Sequence, residues 1–155
     1  MQTDDLETAT DEVLAASRVL VGIAARTIPD PDEVTLAQFR ALVLLDAHGG
    51  LNPGALAELL GVERSTTTRL CDRLVAKGLI ERAPRENRRE VCIAVTPAGA
   101  SLVAQATAER RAEIRMIVGK LSLADRDRLS AGLREFRKAA GDGAAELAWS
   151  LGWST

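Results

Sequence analysis

Side chains that move protons or hold metals are scarce in this chain. Of its 155 residues one is histidine, two are cysteine and none is tyrosine. His48 stands in a glycine-rich turn, AHGG, with no Ser/His/Asp or Cys/His set beside it. Cys71 and Cys92 lack the spacing and partner histidines of a metal site. No catalytic residue, cofactor or metal ligand is therefore expected. What the chain does carry is arginine and hydroxyl. Arg64, Ser65, Thr66, Thr68 and Arg69 crowd one stretch, followed by Asp72 and Arg73; a second group holds Arg82, Arg85, Asn87, Arg88 and Arg89. Guanidinium and hydroxyl groups donate to phosphate oxygens and read base edges. The chemistry predicted is recognition of a polyanion, not the making or breaking of bonds.

Charge distribution agrees where total charge does not. The chain is slightly acidic overall, net −2 at pH 7. Residues 64–89, however, hold eight Lys or Arg against three Asp or Glu, a local +5. Residues 1–34 hold eight acids against two arginines, a local −6. Counterion release depends on charge at the contact, so a basic patch on an acidic protein suffices for a DNA-binding face.

Those residues need elements to position them, and 52–99 supplies a winged helix-turn-helix. Asn52 as N-cap and Pro53 at the first helical position open a short helix, 53–60. Ala57 gives the small residue needed where two helices touch, and Gly61 the tight turn. A second helix is predicted over 63–77, stopped by Gly78. At about 100° per residue, Thr67, Leu70, Cys71 and Leu74 share its core face. Leu56, Leu60 and Val62 are the other expected core contacts of the motif. Opposite lie Ser65, Arg69, Asp72 and Ala76, flanked by Thr66 and Thr68, with Arg73 on the shoulder. Threonine is about 0.5–0.7 kcal/mol worse than alanine in an exposed helix. Three in succession break a local rule without folding benefit, which is typical of a functional face. Apolar runs at Leu79-Ile80 and 91–95 then flank a Pro- and Arg-rich tip at 84–89, predicting a hairpin with a basic loop.

The texts LAELLGVERST, TRLCDRLVAKGLIER and ENRREVCIAVTPAG together resemble the MarR family of bacterial winged-helix transcription regulators. The resemblance covers most of the chain. It implies a dimer on double-stranded DNA, usually as a repressor, with a wing arginine entering the minor groove. Where that family usually has a wing Asp before its arginines, this chain has Asn87, followed by Arg88 and Arg89, in a wing about one residue shorter. An Asn hydrogen-bonds but forms no ion pair with a neighbouring arginine. The family also implies a small, often phenolic or anionic effector in a cleft between the dimer helices and the DNA-binding lobe. Arg18 and Arg40 are arginines that such an anion could meet, but no residue marks an effector site.

The remaining segments read as helices. One is predicted over about 4–27 with Val13, Ser17, Leu20, Val21, Ala24 and Ile28 on a stripe, broken at Pro29-Asp30-Pro31. Thr35 with Gln38 forms a capping box for the next, which places Leu36, Phe39, Leu42 and Val43 on its apolar side. Thr96-Pro97 opens a long helix whose later part carries Ile114, Ile117, Val118 and Leu121, and Ser122 recaps a helix to about Ala140. A last short helix, 144–153, would place Trp149 and Trp153 on one face as packing residues. The fold class is mainly α with a small β-hairpin wing. A DNA-binding lobe over 35–99 and a helical dimerisation lobe from 1–34 and 100–155 make up one domain. Two-fold helix-turn-helix dimers bind half-sites about 34 Å apart, so a homodimer on a pseudo-palindromic operator is expected.

Neither a signal peptide nor an apolar run of membrane-spanning length is visible, so a cytoplasmic protein without membrane contact is expected. Cys71 on the core face and Cys92 within an apolar strand read as small hydrophobes. Two further readings are a winged helix serving as a protein-interaction module and a cysteine-based redox-sensing regulator. An enzyme on a helical scaffold is disfavoured by the missing catalytic set.

Overall fold

Short polar side chains fix where the helices begin. The structure is a computed structural model that describes residues 2–29, 33–84 and 91–141. Its elements run α1 (Gln2–Arg26), α2 (Leu36–His48), α3 (Pro53–Leu60), α4 (Arg64–Ala76), β1 (Ile80–Pro84), β2 (Val91–Val95), α5 (Pro97–Gly119) and α6 (Leu123–Ala140). Thr35 Oγ1 accepts from Gln38 N at 3.3 Å while Gln38 Oε1 accepts from Thr35 N at 3.0 Å, completing the predicted capping box. Asn52 Oδ1 accepts from Ala55 N at 2.8 Å, Thr96 Oγ1 from Gly99 N at 3.2 Å and Ser122 Oγ from Asp125 N at 3.2 Å. Each such cap contributes about 1 kcal/mol by satisfying a helix N–H that has no partner within the helix.

Helix α2 is the centre of the molecule. Phe39, Ala41, Leu42, Val43, Leu44 and Leu45 are all buried, which marks a helix enclosed on nearly every side. Around it pack α5 through Val103 and Ala106, α3 through Leu56 and Leu60, α4 through Cys71 and Leu74, and the hairpin through Ile80 and Ile93. The hairpin is antiparallel, with Ile80 opposite Val95, Arg82 opposite Ile93 and Pro84 opposite Val91. Leu51, in the α2–α3 connection, adds one more rung: its N donates to Ile93 O at 2.9 Å and Ile93 N returns to Leu51 O at 2.8 Å.

At the base of the hairpin, α5 comes within contact of the backbone. A Cβ at Gly99 would overlap the carbonyl oxygen of Leu79. Only glycine allows that approach, which joins the hairpin to the first turn of α5. Thr96 reinforces the joint, its N donating to Leu79 O at 3.0 Å and its hydroxyl to Gly78 O at 2.7 Å.

Several expectations need correction. Val62 is not a core contact: it is 40% exposed, because the turn after Gly61 carries it out between the helices. Leu36 is likewise 55% exposed, in the first turn of α2. On α1, Val13 and Val21 are exposed, and the buried contact is Ile23, which the predicted stripe omitted. The recognition helix is tighter by one residue at each end, with Glu63 as its N-cap and Lys77 as its C-cap. His48 closes α2 instead of sitting in the turn, its Nδ1 2.8 Å from the Leu44 carbonyl. The 144–153 helix with Trp149 and Trp153 lies outside the described residues.

Candidate nucleic-acid interface

The exposed face of α4 is the centre of the site, and its other face explains why it is held there. Thr67, Cys71 and Leu74 are buried, and Leu70 packs against the core. The turn into the helix is the one the motif requires: Gly61 adopts φ 68°, and Val62 N donates to Ala57 O at 3.1 Å, with Ala57 buried where α3 meets α4. With that face anchored, Arg64, Ser65, Thr66, Thr68, Arg69, Asp72 and Arg73 are all exposed. Thr68 Oγ1 donates back to Arg64 O at 2.9 Å on the exposed side of the helix. Glu63 makes no side-chain capping bond, so the first N–H groups of α4 meet the same open face. Helix N-termini of this kind favour anions.

The Arg64 guanidinium lies close over Gly54, a residue that carries no role in the sequence reading. A Cβ at Gly54 would lie 2.7 Å from Arg64 Nη2 and 3.5 Å from its Cζ. The bare glycine therefore lets the guanidinium lie across the first turn of α3. The signal was present in the text: glycine is a poor residue for the second position of an eight-residue helix unless something else needs the space.

Two of the expected DNA contacts meet each other. Arg82 Nη2 lies 2.7 Å from Asp72 Oδ1, joining the hairpin to α4. The wing residues Arg85, Asn87, Arg88 and Arg89 lie outside the described residues. Lys77 Nζ donates to the Glu33 carbonyl, tying the end of α4 to the segment before α2. Cys71 lies beneath the face, its thiol pushed above the ordinary value by burial, which outweighs the lowering by the Arg82 guanidinium; the Asp72 carboxylate adds a smaller rise. Arg110 on α5 is pulled below its ordinary value by burial, near Thr27, whose hydroxyl lies 3.4 Å from Arg110 Nε. The face as a whole presents guanidinium groups, hydroxyls and a helix N-terminus on a rigid convex element. That arrangement suits a major groove.

Comparison with known proteins agrees. The MarR family profile matches residues 34–91. The uncharacterised HTH-type transcriptional regulator Mb0904 of Mycobacterium bovis is 32% identical over 128 residues, covering 82% of this chain and 88% of that protein. The chain belongs to the MarR family. The multiple antibiotic resistance protein MarR of Salmonella typhimurium is 38% identical over 76 residues, 48% of this chain, and the match spans 53% of that protein's length. Among solved structures, that of Rv1404 from Mycobacterium tuberculosis superposes with a TM-score of 0.79 at 45% identity, covering 88% of this chain and 94% of the other. The mainly helical winged helix-turn-helix is thus the family fold, and the relative matched along most of its length is named as an HTH-type transcriptional regulator. Among the described residues no helix is long and apolar enough to cross a membrane.

Proposed function

We propose that the chain acts as a homodimeric repressor that reads a pseudo-palindromic operator, with one α4 in each of two successive major grooves. The observation that carries this reading is the division of α4 into a buried face and an arginine- and hydroxyl-rich exposed face. Arg64, Ser65, Thr66, Thr68, Arg69 and Arg73 are the proposed contacts there. Arg85, Asn87, Arg88 and Arg89 are the proposed wing contacts to the adjacent minor groove. Repression is the direct output of a dimer that covers promoter DNA.

Dimerisation through 1–34 and 100–155 is supported by apolar surface on three helices. Leu6, Leu14, Val19 and Val21 on α1, Met116 on α5, and Leu133 and Phe136 on α6 are each more than half exposed in the single chain. Apolar side chains grouped on long helices favour burial against another surface. Release by a small molecule is the finer part of the proposal. A cleft of about 240 Å³ between the end of α1 and α5 is lined by Thr27, Glu33, Gln105 and Glu109 among others; Arg18 and Arg40 are not in its lining. Drug-sized ligands need about 300–1,000 Å³, so this space suits only a small effector.

The test is fluorescence anisotropy on duplex from the region upstream of the chain's own gene and on a scrambled duplex, at about 50 and 200 mM salt. Sequence-preferring binding that weakens steeply with salt is expected, and Arg69→Ala should lose about fivefold to a hundredfold in affinity. Weak, salt-insensitive binding equal on the two duplexes would favour a protein-interaction module instead. Light scattering of the same sample reads the dimer.

A further inference from the structure

The ion pair between Asp72 and Arg82 changes what these two residues do on the DNA face. We infer that Arg82 is not a phosphate contact but a positioning residue that, held by Asp72, sets the base of the wing against the recognition helix. The inference rests on the DNA-binding reading above and refines it.

Strand register gives the first argument. Side chains two apart in a strand share a face. Ile80 is buried at 2% exposure, so the face of β1 that carries Ile80 turns toward the core. Arg82 is the next residue on that face, opposite the equally buried Ile93. Its side chain therefore leans back over α4 instead of outward from the wing. There Asp72 receives it at 2.7 Å, with the two side chains 56% and 42% exposed for Asp72 and Arg82 respectively.

Charge gives the second argument. Asp72 is the one carboxylate within α4, on the stripe it shares with Ser65 and Arg69. Unpaired, it would repel the phosphates that Arg64, Arg69 and Arg73 attract. Paired with Arg82 it presents little net charge, and Arg82 has correspondingly little left to offer a phosphate. The pair thus aligns two DNA-reading elements and screens an unfavourable charge, without either member touching DNA as a free ion.

A double-mutant cycle on the full-length protein separates this from direct phosphate contact. The variants are Asp72→Asn, Arg82→Gln and the two combined, each checked for the wild-type circular dichroism spectrum and thermal midpoint. Anisotropy with one preferred duplex and its scrambled control, across a salt series, gives affinity, preference and salt slope. Arg82→Gln alone should weaken specific binding about fivefold, the upper range for an exposed pair, by freeing the Asp72 carboxylate as well as the wing base. The double variant keeps the net charge, so it should regain part of that affinity and keep the wild-type salt slope while losing preference over the scrambled duplex. If Arg82 neutralises a phosphate directly, the double variant will show a slope shallower by about 0.9 and an affinity no better than Arg82→Gln, which overturns the inference. Wild-type protein that binds neither duplex in a salt-dependent way would instead remove the DNA-binding reading itself, and this one with it.

Discussion

Arg82 on β1 and Asp72 on α4 meet at 2.7 Å, and through them the hairpin leans on the recognition helix. Both side chains are substantially exposed, so solvent screens the pair. Its contribution to folding is correspondingly small. Neutralising either residue should change unfolding free energy by less than about 1 kcal/mol. Urea denaturation of the single variants checks this, and a loss of several kcal/mol would show that the pair holds the fold and not merely the alignment of the face.

The cap of α3 carries more. Asn52 Oδ1 accepts from Ala55 N at 2.8 Å at the entrance to the helix-turn-helix. Asn52→Ala leaves that N–H without its partner and should cost about 1 kcal/mol. For a chain of this size that is a midpoint lower by about 2–4 °C. Differential scanning calorimetry reads it directly, and an unchanged midpoint would mean that water replaces the cap without loss.

Two glycines make opposite predictions. At Gly99 an added methyl would overlap the Leu79 carbonyl oxygen, a backbone atom with no flexible side chain to give way. Gly99→Ala should therefore lose at least about 3 kcal/mol, at the severe end of overpacking. Gly132, within α6, has nothing within 4 Å of its Cβ position. Gly132→Ala should gain about 0.5–1 kcal/mol from helix propensity. Equilibrium unfolding of the pair tests the joint, and similar values for both would refute the close approach.

The Cys71 thiol gives a pH dependence of known sign. Its pKa is raised in the folded state, chiefly by burial. The folded protein therefore holds this proton more tightly than the unfolded chain does. The associated stability is complete below the unfolded thiol value and is lost as pH rises through that value toward the folded one. Stability measured from neutral to alkaline pH should fall in that window, and Cys71→Ala should fall less. Alkylation of Cys71 in the native protein should be slow at neutral pH, because the reactive species is the thiolate. Rapid native labelling at Cys71 would contradict the burial and revive a redox-sensing role.

Much of this architecture is legible from residue type and spacing. Asn52-Pro53, Thr35 with Gln38, Thr96-Pro97 and Ser122 each mark a helix start because capping is local chemistry, satisfied within three residues. The buried stripe of α4 follows from helical periodicity. Contacts set by register between distant segments do not show in that way. The Asp72–Arg82 pair depends on which face of β1 turns inward, and the Leu51–Ile93 rung is a single residue long, too short for any alternation. The omission of Ile23 has a different cause. On α1 apolar residues outnumber the buried positions, so a stripe drawn through them selects Val13 and Val21, which the single chain leaves exposed. Val62 was misplaced because its environment is decided by the turn at Gly61, not by a helix face.

The joint at Gly99 has a mechanical consequence. Helix α5 is 23 residues long, which at helical rise is about 35 Å from end to end. One end is welded to the foot of the wing through Leu79 and Thr96, and the other reaches α6. Such a rod has its anchored end beside the hairpin and the end of α4. Tilting it by about 5° carries the far end through about 3 Å, given that length. By that geometry, a shift of a few ångströms where α5 reaches α6 would correspond to a rotation of only a few degrees at the foot of the wing.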